Sequence, residues 1–271
     1  MLAAQAEVAP VLIFGASGTG KGSVAQWIHA NGPRAARAFR EVHHRDDVSL
    51  ADLIPALQGG TLVLHEIGEW PLAEQKVLFD FLATHSVPVN EQDGMRRLVN
   101  TRIIATTSQA LEGRAQAGLF SPDLLEKLNV FRIEMPPLAK RADEFDDIVL
   151  GIVGEITREL HKEYLRELSP DAWARLRSYN WPGNIRELRN VLRLAVVAAK
   201  EDAIMVADLP SFGADRVDFH ATREQFERIY IVELLKTFDG DIDKTCRLTR
   251  LDKSVLLAKL EKYGITPNLE L

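Results

Sequence analysis

The sequence predicts an α/β fold: a parallel sheet flanked by helices, then an all-helical region and a small helical C-terminal unit. Three observations carry this. A buried-type strand, Val11-Leu12-Ile13-Phe14, runs straight into a glycine-rich loop, Gly15-Ala16-Ser17-Gly18-Thr19-Gly20-Lys21. Strand and helix signals then alternate to about residue 137. That is the pattern of a parallel sheet whose ligands sit at the carboxyl ends of its strands. From Pro136-Pro137 onward the strand signal disappears.

The loop comes first because its chemistry is the most specific. Its glycines let successive N–H groups converge on a phosphate, the helix starting near Gly22 adds its positive end, and Lys21 supplies a mobile charge. Glycine-rich turns also occur without ligands. The strand before this one and the helical pattern after it (Val24, Ala25, Trp27, Ile28) favour nucleotide phosphate over a plain turn.

The remaining elements come in order along the chain. Phe39-Arg40-Glu41-Val42 reads as a short strand. Ser49 through Leu57 reads as a helix, with Ser49 and Asp52 at capping spacing and Gly59-Gly60 closing it. Thr61-Leu62-Val63-Leu64 is a second buried-type strand ending at His65-Glu66. Pro71 opens an amphipathic helix carrying Leu72, Val77, Leu78, Phe81 and Leu82. Arg102 to Thr107 is a third strand with a polar end. The loop, His65-Glu66 and Thr106-Thr107-Ser108 all fall at strand ends and are expected to converge. Helical patterns cover about 143–166 and 170–178, the second opened by Ser169-Pro170. Trp181-Pro182-Gly183-Asn184 interrupts the chain before a helix from Ile185 to Lys200, and 206–218 reads as a linker. A last helical unit opens with Thr222 and Gln225 in a capping-box arrangement.

Bulk properties exclude several classes. The chain has 271 residues, 46% hydrophobic and 27% charged, an ordinary globular balance. No apolar run approaches the ~18 residues of a membrane helix, and no signal peptide is evident. The single cysteine, Cys246, excludes an internal disulfide and a multi-cysteine zinc site. These traits predict a cytoplasmic protein with no membrane partner. A net charge of −6 argues against wholesale coating of nucleic acid but not against a local basic patch.

Taken together, several motifs resemble the AAA+ domain of bacterial enhancer-binding proteins, the sigma-54-dependent transcription activators, followed by a Fis-type helix-turn-helix. They are Gly18-Thr19-Gly20-Lys21, Gly60-Thr61-Leu62 leading to Glu66-Ile67, Pro71-Leu72 with Gln75, Arg102-Ile103-Ile104-Ala105-Thr106, Leu128-Asn129-Val130-Phe131 and Pro136-Pro137-Leu138. Trp181-Pro182-Gly183-Asn184-Ile185-Arg186-Glu187-Leu188 is the most telling. The resemblance covers nearly the whole chain. It implies a P-loop NTPase α/β subdomain over 1–137, a helical lid over 138–205, a linker over 206–218 and a DNA-binding helix-turn-helix over 219–271. It further implies ATP or ADP contacts from Gly15, Ser17, Gly18, Thr19, Gly20, Lys21, Gly22, Ser23 and Arg186. Glu66 stands where the family polarises attacking water, and Ser108 stands at the sensor-I position. Arg186 occupies the sensor-II position; its alternative role is a plain ion pair with an acidic neighbour on its helix.

The departures point away from orthodox activation. The family's Gly-Ala-Phe-Thr-Gly-Ala loop, which engages sigma-54, has no counterpart between His43 and Gly59. A sigma-54 contact is therefore not expected. His65 replaces the aspartate that helps to hold Mg²⁺, and Gly22 removes the hydroxyl after Lys21 or displaces it to Ser23. His65 itself reads as a strand-end residue hydrogen-bonded to nearby backbone. Ser121 and Lys127 fall where the family has two arginines directed at a neighbouring subunit; Ser121-Pro122-Asp123 reads as a helix start, and Lys127 lacks the planar fork. Such arginines are worth about 10³–10⁵ in rate. Met1 to Pro10 leaves little chain to cover an adenine base. Nucleotide binding with weakened Mg²⁺ and little hydrolysis is the expectation.

In the C-terminal unit, Phe219 to Leu235 reads as an amphipathic helix that supports dimerisation or packs on the helices after it. Asp243 to Leu248 reads as a first short helix, with Cys246 in the core. Thr249 to Ile265 then resembles the turn, recognition helix and closing Gly-Ile. Residues 240–264 hold six basic residues against four acidic ones. Base and phosphate contacts are expected from Arg250, Asp252, Lys253, Ser254, Leu257 and Lys259, with a pure dimerisation module as the alternative. The reading is a DNA-binding regulator that associates with itself or with related activators. An active ATPase using Lys127 and another loop, and a non-enzymatic partner of a full-length activator, remain as alternatives.

Overall fold

A computed structural model describes residues 2–5, 8–88, 95–165, 167–212, 240–249 and 252–265, with 228, 231, 232 and 235. The chain divides into two compact units: 1–142 with 181–186, and 143–180 with 187–271.

The first unit is built on five parallel strands: β1 (Val11–Phe14), β2 (Phe39–His43), β3 (Thr61–His65), β6 (Arg102–Thr107) and β7 (Phe131–Glu134). Their spatial order is β2–β3–β6–β1–β7. The apolar runs of β1, β3 and β6 occupy the centre, as expected for strands covered on both faces. All six residues of β6 are buried. Register fixes which side chains share a face: Val11 lies beside Ile104, Leu64 beside Ala105 and His43 beside His65.

The period-two alternation divides the core between two faces. Leu12, Leu62, Leu64, Ile103 and Ala105 pack with Leu78 and Phe81 of helix α4 (Leu72–Thr84) and with Phe120 and Leu124. Val11, Ile13, Val63 and Ile104 pack with Ala25 and Ile28 of α2 (Lys21–Ala30) on the other face. Each fully buried aliphatic side chain of this kind contributes about 1.5–3 kcal/mol.

The shorter helices start where local chemistry dictates. In α3 (Leu50–Ala56) the Ser49 hydroxyl accepts from the Ala51 N–H. A short α1 (Leu2–Gln5) precedes the sheet, and α5 (Leu111–Gln116) follows β6. Helix α6 (Pro122–Leu128) opens on Ser121, whose hydroxyl accepts from the Leu124 N–H, with Pro122 in the first turn. Ser121 is thus a helix cap, as its Ser-Pro context predicts.

Two strand features of this unit went unread in the sequence. One is the edge strand β7. The other is an antiparallel pair, β4 (Ser86–Pro88) with β5 (Arg96–Leu98), whose second strand is exposed along its whole length.

The second unit carries α7 (Phe145–Glu159), α8 (Pro170–Arg177) and all but the first turn of α9 (Asn184–Ala198). Helix α7 is shorter than the expected 143–166. His161 takes a left-handed conformation (φ 54°), and Lys162 turns its ammonium onto the carbonyls of Val196, Val197 and Ala199 at 3.0, 2.9 and 3.3 Å. That lysine satisfies carbonyls a helix end leaves open. Arg189–Glu155 and Arg193–Glu159 ion pairs tie α9 to α7. A two-residue parallel pair, β8 (Glu167–Leu168) with β9 (Ala203–Ile204), closes this part.

The predicted helix Phe219–Leu235 and the Thr222–Gln225 capping box fall outside the described residues, save 228, 231, 232 and 235. Beyond them lie α10 (Ile242–Thr249) and α11 (Lys253–Tyr263). Ile231, Leu235, Leu256 and Leu260 form a small core, against which Ile242 and Cys246 pack. Gly264 ends α11 at φ 62°, and the Ile265 N–H returns to the Leu260 carbonyl at 2.9 Å. This is a left-handed helix stop that glycine makes cheap.

Candidate functional site

The site gathers where β1, β3 and β6 end in the first unit. The Gly15 N–H bonds the Thr107 carbonyl at 3.1 Å, holding the start of the loop against the end of β6. Gly18 and Gly20 have φ of 80° and 92°. A Cβ on Gly18 would stand 2.3 Å from the Gly183 carbonyl oxygen, so both conformation and space require glycine there. The Thr19 hydroxyl donates to the Ala16 carbonyl at 2.9 Å and stiffens the turn.

Lys21 begins α2 and is buried. Its Nζ donates to the carbonyls of Gly15 (2.8 Å) and Ala16 (3.1 Å) and lies 3.6 Å from Glu66 Oε1. Burial holds its pKa below the usual lysine value; the Glu66 carboxylate opposes that and the Arg186 charge adds to it. Glu66 stands just past β3 in a left-handed conformation (φ 49°). Its Oε2 accepts from both the Ser108 N–H (2.7 Å) and the Ser108 hydroxyl (2.9 Å). Lys21, Glu66 and Ser108 therefore form one connected group, and Ser108 holds the carboxylate through two donors.

The segment 181–186 belongs to this same unit and clasps the loop. Asn184 is buried at φ 53°; its Oδ1 accepts from the Leu138 N–H at 2.8 Å and its Nδ2 donates to the Ser17 carbonyl at 2.9 Å. The Arg186 N–H bonds the Gly18 carbonyl (3.2 Å), and its guanidinium reaches the Ser17 hydroxyl (3.2 Å). The Arg186 guanidinium is thus directed at the loop. Asn184 is a positioning residue that sequence reasoning quoted without giving it a role. Its signal was the Pro-Gly-Asn turn, since asparagine tolerates positive φ.

His65 departs from its expected environment. Its ring bonds side chains, not backbone: Nε2 lies 3.1 Å from Glu41 Oε2 and Nδ1 3.3 Å from Thr106 Oγ1. It also stacks on His43 with centroids 4.5 Å apart. A magnesium ion, which this kind of fold implies, does not fit such residues. Gly22 has no hydroxyl, His65 has no carboxylate, and among the described residues no group of three His, Cys, Asp or Glu could hold a metal.

The other named residues lie apart from this group. Ser23 is exposed on the first turn of α2. Lys127 is exposed on the last turn of α6, with no hydrogen bond to Lys21, Glu66 or Ser108. A cavity of about 420 Å³ opens beside the loop at the ends of β1 and β6. There Arg132 lies over the Phe14 ring at 4.4 Å and pairs with Glu112 at 2.8 Å.

In the second unit, Arg250 falls outside the described residues. Asp252 precedes α11, and Lys253, Ser254 and Leu257 are exposed on it, whereas Lys259 is half-buried. Lys253 is already engaged: its Nζ sits 2.8 Å from Asp243 Oδ1, and that carboxylate raises its pKa. No helix among the described residues is long and apolar enough to cross a membrane.

Comparisons with known proteins agree with this architecture. A family model described as the sigma-54 interaction domain matches residues 1–138, and one described as the AAA+ ATPase lid domain matches 139–225. The alginate biosynthesis transcriptional regulatory protein AlgB of Pseudomonas syringae pv. tomato is 31% identical, over 95% of this chain and 62% of its own. The regulatory protein AtoC of Escherichia coli K12 is 30% identical, over 96% of this chain and 63% of its own. The crystal structure of NtrX from Brucella abortus in complex with ATP superposes with a TM-score of 0.65 at 27% identity, covering 97% of this chain and 65% of that one. NtrX was also solved in complex with ADP. The chain thus spans a little under two thirds of the length of these relatives.

Proposed function

The chain belongs to the sigma-54 interaction domain family of AAA+ transcription regulators, and from that premise we propose that it is a cytoplasmic, DNA-binding regulator whose phosphate loop binds ATP or ADP with little or no hydrolysis. The carrying observation is the convergence of Lys21, Glu66, Ser108 and Arg186 on one glycine loop. Two cationic side chains and a cradle of backbone N–H groups suit a polyphosphate. The ATP and ADP complexes of NtrX, a structural relative, support the same ligand class.

Weak turnover follows from the surroundings of the carboxylate. Ser108 engages Glu66 with two donors, Gly22 and His65 stand in place of the magnesium ligands, and Lys127 lacks the planar fork of the arginine it replaces. Without the Gly-Ala-Phe-Thr-Gly-Ala loop, nucleotide acts here as a structural or switching ligand. The protein then works by associating with itself or with related activators, not by remodelling sigma-54 alone. Steady-state ATPase at rising protein concentration with magnesium tests this. We expect less than about 0.01 per second, far below the 1–10³ per second typical of enzymes. Robust turnover that rises with concentration overturns the claim.

DNA binding rests on the exposed polar face of α11 and its basic residues. Because Asp243 holds Lys253, Asp243→Asn should free a cation for phosphate. The expected outcome in a gel-shift titration over salt is tighter binding and a log–log slope steeper by about one. Affinity indifferent to salt in both proteins removes DNA from the reading.

A further inference from the structure

We infer that the phosphate loop takes its nucleotide free of any divalent cation, the His65 ring and the bare backbone of Gly22 closing the place from which such a loop holds magnesium. This rests on the nucleotide reading above and goes further, because it names the ionic form of the ligand.

A P-loop holds magnesium through two side chains: the hydroxyl of the residue after the lysine, and an aspartate beside it. Here those positions are Gly22 and His65. They have not merely lost their ligands, for one ring covers both. A Cβ added at Gly22 would lie 3.3 Å from His65 Cε1, so even a serine there would press on the imidazole. The ring is held from three directions. Glu41 of β2 takes Nε2 at 3.1 Å, Thr106 of β6 takes Nδ1 at 3.3 Å, and His43 of β2 stacks on its face. Both ring nitrogens are thus engaged by side chains, and the atom nearest the start of α2 is a carbon. An imidazole so placed offers no lone pair toward a phosphate-bound metal, and hard cations prefer oxygen in any case.

The positive charge that a polyphosphate needs is available without metal. Lys21 Nζ sits on the loop carbonyls of Gly15 and Ala16, Arg186 reaches Ser17, and α2 presents its amino end. These direct donors to phosphate oxygen are charge-assisted and specific.

Isothermal calorimetry of the full chain with ADP and ATP, in magnesium and in EDTA, tests the inference. We expect dissociation constants within about threefold between the two buffers, whereas a metal-dependent site loses more than about tenfold in EDTA. The double variant Gly22→Ser with His65→Asp is expected to acquire that dependence. Manganese co-eluting with the wild-type protein in ADP-containing gel filtration, expected at the nucleotide-free level, gives a readout that needs no variant. Binding confined to the magnesium buffer, or stoichiometric manganese carried by the ADP complex, overturns the inference and leaves the nucleotide reading standing. No heat with either nucleotide in either buffer overturns the nucleotide reading, and the inference falls with it.

Discussion

Lys21→Met is expected to remove nucleotide binding while the protein stays folded. The wild-type lysine is 7% exposed, and its ammonium sits on two loop carbonyls with Glu66 at 3.6 Å. It is thus positioned to donate to a phosphate oxygen, and methionine keeps the stem but not the charge. With Arg186 as the remaining cation, affinity for ATP or ADP should fall by at least about 100-fold, or ~2.7 kcal/mol, by calorimetry. Stability should move far less. The variant takes the side-chain donor from the Gly15 carbonyl, while the Thr19 hydroxyl still serves Ala16, but it also relieves a charge held against desolvation, and the two effects oppose each other. Because burial lowers the Lys21 pKa, the unfolded chain binds more protons between that lowered value and the ordinary lysine value. In that alkaline window this group's contribution makes stability rise with pH, and Lys21→Met should lack the rise. A variant that folds and binds ATP as tightly as the wild type would refute the assignment of the loop.

The parts of this molecule that were legible in sequence share a local cause. Strands β1, β3 and β6 are apolar runs cut off by glycine or polar residues, and helices α3, α6 and α8 start on serine caps. The cap hydroxyls of α6 and α8 bond the N–H three residues on, whereas the Ser49 hydroxyl bonds that of Ala51 and not Asp52. Lys21, Glu66 and Ser108 could be named because each follows a readable strand directly. The features that stayed hidden depend on neighbours distant in sequence. The β4–β5 pair has an arginine-rich, exposed second strand that carries no burial signal. Strand β7 alternates half-buried with exposed residues, so it lacks the run that marked the central strands. The partners of His65 follow from register, which sets His43 of β2 directly beside it. Neither composition nor spacing along the chain reveals that pairing. Helix α7 ends early because Lys162 finds acceptors on a helix more than thirty residues away.

The clasp also explains how the loop keeps its shape. The protein itself supplies fixed bonds to the loop on three sides. The Thr107 carbonyl holds Gly15, the Thr19 hydroxyl closes on Ala16, and the segment 181–186 holds Ser17 and Gly18.

Asn184→Ala is expected to cause the largest loss of stability of any single change in the site. The side chain is 2% exposed and bridges two backbone groups that no other side chain is seen to serve, the Leu138 N–H at 2.8 Å and the Ser17 carbonyl at 2.9 Å. Alanine leaves the buried Leu138 N–H unpaired, at about 1–3 kcal/mol, whereas the Ser17 carbonyl lies on an exposed residue and loses an ordinary hydrogen bond of about 0.5–1.5 kcal/mol. It also puts a non-glycine, non-asparagine residue at φ 53°, adding about 1 kcal/mol. Together these give about 2.5–5.5 kcal/mol, a large share of the 5–15 kcal/mol that holds a typical domain. Asn184→Gly separates the terms, because glycine accepts the conformation but makes neither bond; it should fall short of the alanine variant's loss by about 1 kcal/mol. Urea unfolding of the three proteins measures both differences. Nucleotide affinity should fall in both variants, since Ser17 and Gly18 lose their anchor. An alanine variant within about 1 kcal/mol of the wild type, well below that sum, would mean that the loop holds its shape without the clasp.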